Sequence, residues 1–420
     1  MREGRTVAAL TAAGLVVAAC GGASGTGGDD GDGRAEGGDE VAIELAGSLS
    51  PEEAAEVGGS VTAFGFDLHR AVTEPGGNTV TSPLSASVLL AMVAAGAGGT
   101  NAAQFAEVLH LEAVRDPRYA ALLADLAAVD DVTLSVANAL WAQDGYPFED
   151  DYLTFARDTF GATLDEVDLA AQATADDIDA WVVDRTEGLI DGIAEDLDLP
   201  SSDAVLVLVN AVYFLGTWTT TFDEAHTRDV AFHLVDGTSV EVPTMHRTDA
   251  EVATSSGDGF RMARLPYGED ERFGMEVLLP DDGVALDELL DELDAEGWRT
   301  AVDDLAPTTL DRLALPSFEL EWDASLDEPL QALGLTEAFD DGDFTPMSPA
   351  DPFLGTVVQK TYIRVDEEGT EAAAVTGGTM EASGPAEPSE FVVDRPFVFT
   401  VSDRESGTVL FLGTVHDPRG

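Results

Sequence analysis

The chain has 420 residues, 45% of them apolar, so it can bury a large hydrophobic core and is not disordered throughout. Asp and Glu number 81 against 20 Lys and Arg, a formal net charge of -61 at pH 7, which excludes nucleic acid and anionic lipid surfaces as main partners. Lys360 is the only lysine and the acidic residues are spread along the whole chain; this halophile-like composition fits a salty medium that screens self-repulsion, or compositional drift in a high-GC genome.

At the amino end, Arg2 and Arg5 precede an apolar run from Val7 to Ala19, followed by the sole cysteine, Cys20. So short a run behind basic residues predicts a secretory signal over residues 1–19, not a spanning helix. Val17-Ala18-Ala19-Cys20 is similar to a bacterial lipobox, which implies a lipidated Cys20 at the mature amino terminus, exported and held on the outer face of the cytoplasmic membrane or cell surface. The alternative is an ordinary signal peptide containing a chance cysteine. One cysteine excludes an intrachain disulfide. Residues 20–50 are rich in Gly, Asp and Glu and read as a flexible, self-repelling tether. Asp29, Asp30 and Asp32 lack the spacing and closing Glu of a calcium loop, so no metal site is expected there.

Residues 51–420 read as one large domain, with no second linker and no internal repeat. Apolar spacing and good helix formers predict helices over Ser85 to Ala97, Ala102 to Leu111, Phe148 to Thr159, Thr174 to Ile193 and Leu286 to Ala295. Strands are predicted over Val132 to Trp141, Val205 to Phe214, Met275 to Leu279, Val357 to Val365, Phe397 to Val401 and Thr408 to Val415. The runs AVLVLVNAVYF and TVLFLGTV are apolar at nearly every position, which predicts strands buried on both faces. Helices and sheets around one core make an α+β fold.

The order of segments resembles the serpin family over nearly all of Glu52 to Pro418. The matching pieces begin with NTVTSPLSASVLLAMVAAGAGGTNAAQF from Asn78, NALWAQDGYPFEDDY from Asn138, IDAWVVDRTEGLI from Ile178 and VLVNAVYFLGTW from Val207. They continue with LPYG from Leu265, LALPSFEL from Leu313, LGLTEAFDDGDFTPMS from Leu333 and VVQKTYIRVDEEGTEAAA from Val357, and close with DRPFVFTV from Asp394 and SGTVLFLGTVHDP from Ser406. The resemblance implies three β-sheets, about nine helices and an exposed reactive-centre loop near the carboxyl end, here about residues 367–390. It implies a monomer that is not an enzyme, needs no cofactor or metal, and inhibits a serine protease by inserting its cleaved loop into the largest sheet.

The loop itself carries the same reading. Its composition, DEEGTEAAAVTGGTMEASGPAEPSE, marks an exposed segment open to proteolysis. A loop that becomes a central strand needs side chains alternating between a buried and an exposed face. With Thr370 first, the inward set is Thr370, Ala372, Ala374, Thr376, Gly378, Met380 and Ala382, all small or apolar; Glu371 and Glu381 fall outward. No proline interrupts Gly369 to Ser383. The hinge Glu367, Glu368, Gly369, Thr370, Glu371, Ala372, Ala373, Ala374, Val375 and Thr376 resembles that of inhibitory members. The family's usual loop length places the reactive bond at Ser383-Gly384, with Ala382-Ser383 and Met380-Glu381 as alternatives. None of these offers Arg or Lys, so the residues favour an elastase-like or subtilisin-like target over a trypsin-like one.

Where the sheet must open, the family places two serines, an Asn and a His. Ser82 and Ser85 match, Asp179 is assigned to the Asn position and Gln359 to the His position, with a Gln-to-carboxylate hydrogen bond as an expected substitute. At the start of the hinge Trp218 and Glu367 match, while Ser317 replaces the usual basic partner of the glutamate. His226, His233 and His246 match no zinc spacing, and no nucleophile elbow, metalloprotease helix or phosphate loop is present. The rival reading is a surface lipoprotein that keeps the serpin fold as a binding or structural module without inhibiting.

Overall fold

Ser50 opens the first helix with a capping box: its side chain accepts from the Glu53 amide, and the Glu53 carboxylate accepts from the Ser50 amide. That helix, α1 (Pro51–Val72), buries Val57, Val61, Phe64 and Leu68, three or four residues apart on one face. The computed structural model describes residues 49–129, 132–340, 342–370 and 389–420. After α1 come β1 (Thr79–Thr81), α2 (Pro83–Ala94), α3 (Gly99–Val108), α4 (Arg118–Ala127), β2 (Val132–Gln143), α5 (Asp150–Phe160), β3 (Thr163–Val167), α6 (Gln172–Arg185) and β4 (Leu206–Thr217). The second half holds β5 (Arg228–His233), β6 (Ser239–Gly257), β7 (Phe260–Pro266), β8 (Phe273–Pro280), α7 (Leu286–Glu292), α8 (Ala295–Asp303), β9 (Ala306–Pro316), β10 (Phe318–Ser325) and α9 (Asp327–Leu333). It closes with β11 (Val358–Val365), β12 (Gly369–Thr370), β13 (Glu390–Val392), β14 (Phe397–Asp403) and β15 (Val409–Val415).

The strands form three sheets among the described residues. One has nine strands, in the order β1-β15-β14-β8-β7-β6-β9-β13 with β5 paired to β6; a second has four, β12-β4-β2-β3; the third is the pair β10-β11. The expected α+β architecture with three sheets holds. Helix α2 packs against β4 on one side and β15 on the other. It is buried at ten of its twelve positions, and its sequence, PLSASVLLAMVA, accordingly has no charged face. No described helix is long and apolar enough to cross a membrane.

Several expected elements differ from the structure for local reasons. Helix α6 stops at Arg185 and does not reach Ile193, because Glu187 and Gly188 adopt positive φ (51° and 81°) and the Thr186 hydroxyl oxygen accepts from the Ile190 amide. The single helix expected over Leu286 to Ala295 is two, since the Asp294 carboxylate accepts from the Gly297 amide and caps a new helix, α8. Strands β14 and β15 are buried at every position. Strand β4 is not, although its sequence is as apolar: burial alternates along most of it. The cause is a missing neighbour.

Candidate functional site

Strand β4 pairs antiparallel with β2 from Gly216 opposite Val132 to Leu206 opposite Ala142. Along its other edge only β12 pairs with it, Gly369 opposite Thr217 and Thr370 opposite Gly216. No described strand covers Leu206 to Leu215 on that side. Strand β11 lies across the gap and pairs only with β10. Between them runs a cleft of about 560 Å³, with Leu208, Asn210 and Val212 of β4, Gln359 and Ile363 of β11, and Ser82 and Ser85 at the start of α2 among its lining residues. Two strand edges that face one slot and pair with no described strand along it are a template for a further strand.

The hinge sits at the β12 end of this slot. Gly369 has φ 146°, and a Cβ there would lie 2.1 Å from the Gly216 carbonyl oxygen, so only glycine fits. The backbone before it is held at three points: Trp218 Nε1 donates to Asp366 O at 2.9 Å, the Trp218 amide to Glu368 O at 2.9 Å, and the Phe222 amide to Glu367 O at 2.8 Å. Trp218 is itself fixed by stacking on Tyr267, with centroids 4.4 Å apart. The Glu367 carboxylate accepts from the Thr227 hydroxyl at 2.5 Å, while Ser317 donates elsewhere, to Pro243 O at 3.4 Å. A neutral hydroxyl thus replaces the ion pair that the family places here. Since an exposed ion pair contributes only about 0–1 kcal/mol, the exchange changes little and removes a salt-sensitive contact.

Midway along the slot, Gln359 grips the backbone of Ser82 from both sides. Its Oε1 accepts from the Ser82 amide at 3.1 Å and its Nε2 donates to the Ser82 carbonyl at 3.0 Å. The Ser82 hydroxyl donates to Leu410 O and its oxygen accepts from the Ser85 amide, capping α2. Gln359 is 5% exposed and Ser82 2%, so these groups have no water to fall back on. Replacing Gln359 by Leu leaves the buried Ser82 amide without a partner, while the Ser82 carbonyl still accepts from the Ala86 amide, and is expected to cost roughly 1–3 kcal/mol, read from urea unfolding of the intact protein.

The assignment of Asp179 to this cluster is corrected. Asp179 sits on α6, where its Oδ1 accepts from the amides of Ile193 and Ala194 at 2.7 and 2.8 Å, and it does not line the cleft. Its bond with Gln359 is therefore not formed. The amide that shares the cleft with Ser82, Ser85 and Gln359 is Asn210 on β4, whose Nδ2 donates to Asn138 Oδ1 at 2.7 Å. The sequence reading did not single out Asn210; the signal that could have found it is an amide side chain inside the apolar run AVLVLVNAVYF.

Of the other site residues, Glu367, Glu368, Gly369, Thr370 and Trp218 come together at the hinge. Glu371, Ala372, Ala373, Ala374, Val375 and Thr376, the reactive-bond candidates Met380, Glu381, Ala382, Ser383 and Gly384, and Cys20 lie outside the described residues. Among the described residues no group of three or more His, Cys, Asp and Glu is arranged to hold a metal. His69 is buried between the hydroxyls of Thr81 and Thr414, and burial pushes its pKa down to about 3, so it serves as a neutral structural link.

Comparison with known proteins bears on the same residues. The family model described as Serpin (serine protease inhibitor) matches residues 59–418. The chain is 35% identical to Serpin-Z10 of Arabidopsis thaliana over 361 residues, covering 82% of this chain and 92% of the relative. It is 36% identical to the leukocyte elastase inhibitor of Bos taurus over 374 residues, covering 85% and 98%. Among solved structures it is similar to the thermophilic serpin tengpin in its native state, with a TM-score of 0.78 and 26% identity over 90% of this chain and 97% of that one. A cleaved serpin, Serpin 42Da, is similar to the same degree, with a TM-score of 0.78 and 27% identity over 88% and 100%.

Proposed function

The chain belongs to the serpin family, and from that premise we propose that it is a suicide-type inhibitor of extracellular serine proteases. The observation that carries this reading is the slot between β4 and β11, which no described strand fills, with the hinge already paired to β4 at one end. A target protease attacks the reactive bond, at Ser383-Gly384 or its neighbours, and forms an acyl-enzyme. The cleaved loop then enters the slot before water reaches the ester, carrying the protease with it, and no turnover follows. Small residues at the reactive bond suit a shallow specificity pocket, hence an elastase-like or subtilisin-like target; a bovine relative named for inhibiting leukocyte elastase supports that choice.

The test is incubation with an elastase-like and a subtilisin-like protease. A covalent complex that survives denaturing electrophoresis is expected, and sequencing the released carboxyl-terminal fragment identifies the bond. Clean cleavage by both proteases without a complex would favour the non-inhibitory module. Residues 20–50 serve in this reading as a tether from a lipidated Cys20 on the cell's outer face. Intact-mass analysis of the exported protein is expected to show a lipid-modified chain beginning at Cys20; an unmodified amino terminus elsewhere would overturn that anchor.

A further inference from the structure

Away from the slot, β6 carries a buried imidazole that nothing in the described structure satisfies. His246 is 8% exposed, and neither Nδ1 nor Nε2 has a hydrogen-bond partner among the described residues. A neutral imidazole holds one N–H in either tautomer, so a buried donor lacks an acceptor here. Such groups are uncommon in native proteins and carry a desolvation cost. Arg312 supplies a second: its Nε is buried and makes no hydrogen bond among the described residues, the Glu390 carboxylate standing 3.8 Å away.

Strand pairing brings these two groups and a third cation to one face. His246 lies opposite Ala314 of β9, Thr248 opposite Arg312, and Thr244 opposite Arg228 of β5. Opposed residues share a face of the sheet, as do residues two apart along a strand. Arg228 and Arg312 therefore flank His246 diagonally, and Ala314 adds only a methyl group beside the ring. Met245, Leu313 and Leu315, which point the other way, belong to the main core. The charges that act most strongly on the ring are all positive: burial, then Arg228, Arg312 and His226, hold the His246 pKa below the ordinary histidine value. Arg228 is exposed and makes no ion pair among the described residues, although acidic side chains outnumber basic ones 81 to 20.

We propose that this face of β5, β6 and β9 binds a small tetrahedral oxyanion, sulfate or phosphate, through His246, Arg312 and Arg228. What the unpaired donors lack is an acceptor, and such an anion brings several acceptor oxygens together with the negative charge missing among these side chains. Planar guanidinium groups match its oxygens in pairs. The site suits a small mobile ion and not a sulfated or phosphorylated polymer, because a chain of net charge -61 repels a polyanion over the rest of its surface. Thr227, next to Arg228, donates to Glu367, so the site borders the hinge. Its occupancy is nevertheless a property of the uncut chain and stands apart from loop insertion.

The experiment titrates the full, uncut chain with inorganic phosphate and, separately, with sulfate by calorimetry, at one pH and one sodium chloride concentration so that screening of the acidic surface is constant. One saturable site is expected. Arg228→Gln, at an exposed position, and Arg312→Gln are each expected to weaken binding about tenfold, the loss of one charge-assisted hydrogen bond. His246→Phe removes both unpaired nitrogens and keeps a planar ring. It is expected to weaken binding to the same degree and, without anion, to melt no lower than the natural chain, whereas a histidine kept for structure alone would lose stability on this change. Arg299→Gln, at an exposed arginine of α8, is the control and should bind as the natural chain does. No saturable binding of either anion overturns the proposal. So does a site that survives Arg228→Gln and Arg312→Gln at full strength, or one that Arg299→Gln weakens equally, which would mark a general charge effect.

Discussion

Cutting the chain between Thr379 and Gly384 raises its melting temperature. Insertion would place a strand between β4 and β11, and roughly a dozen ladder hydrogen bonds at about 1 kcal/mol each would release on the order of 10 kcal/mol. That is comparable to the whole stability of an ordinary domain. In a domain of this size the corresponding shift is roughly 10–15 °C upward. On the insertion reading the uncut protein is a kinetically trapped state, and its two fragments are expected to stay together after the cut. Thermal unfolding of both forms checks this at constant salt, since screening of the acidic surface stabilises either form by itself. An ordinary nicked domain melts at the same temperature or lower, and that outcome would contradict insertion.

Substituting Arg at Ala374 turns the inhibitor into a substrate. Insertion that continues the register of β12 would bring Ala374 opposite Val212 on the core face, where a guanidinium would have no partner and cost at least several kcal/mol to bury. Thr370→Arg, at the residue paired with Gly216, acts in the same way. Insertion then loses its race with deacylation, so the protease cuts the loop and leaves. The stoichiometry of inhibition, read from titrated residual protease activity, is expected to rise at least tenfold for either variant, and the covalent complex to disappear. Glu371→Arg, which the same continuation would bring opposite Leu215 on the other face, is the control and is expected to leave the stoichiometry unchanged.

What was legible in the sequence followed from how local each cause is. The apolar run of β15 announced a buried strand, whereas the equally apolar run of β4 did not reveal that one of its edges faces a slot. The alternation from Thr370 to Ala382 was visible as composition, but its register waited for the pairing of Gly369 with Thr217. The end of α6 depended on two residues with positive φ, and the break before α8 on one capping aspartate, both too local for periodicity to resolve. Asp179 and Asn210 lie in two successive matched segments, and counting along the chain favoured the wrong one. Only the fold distinguishes them, because one carboxylate closes a turn after α6 while the other side chain lies in the slot. Likewise the Gln359 clamp on Ser82 joins residues 277 positions apart and was expected to reach a different partner.

Hydrogen exchange of the backbone amides in β4 and β11, before and after cutting the loop, tests strand insertion most directly. Along β4 the amides that point to β2 are already paired and serve as the internal reference, while those pointing to the slot have no strand partner among the described residues from Leu206 to Val212. In the intact protein the slot-facing amides of both strands should exchange quickly relative to that reference. In the cut protein they should slow by orders of magnitude, at alternate residues along each strand. Slot-facing amides that exchange equally fast in both forms would contradict insertion of the loop between β4 and β11.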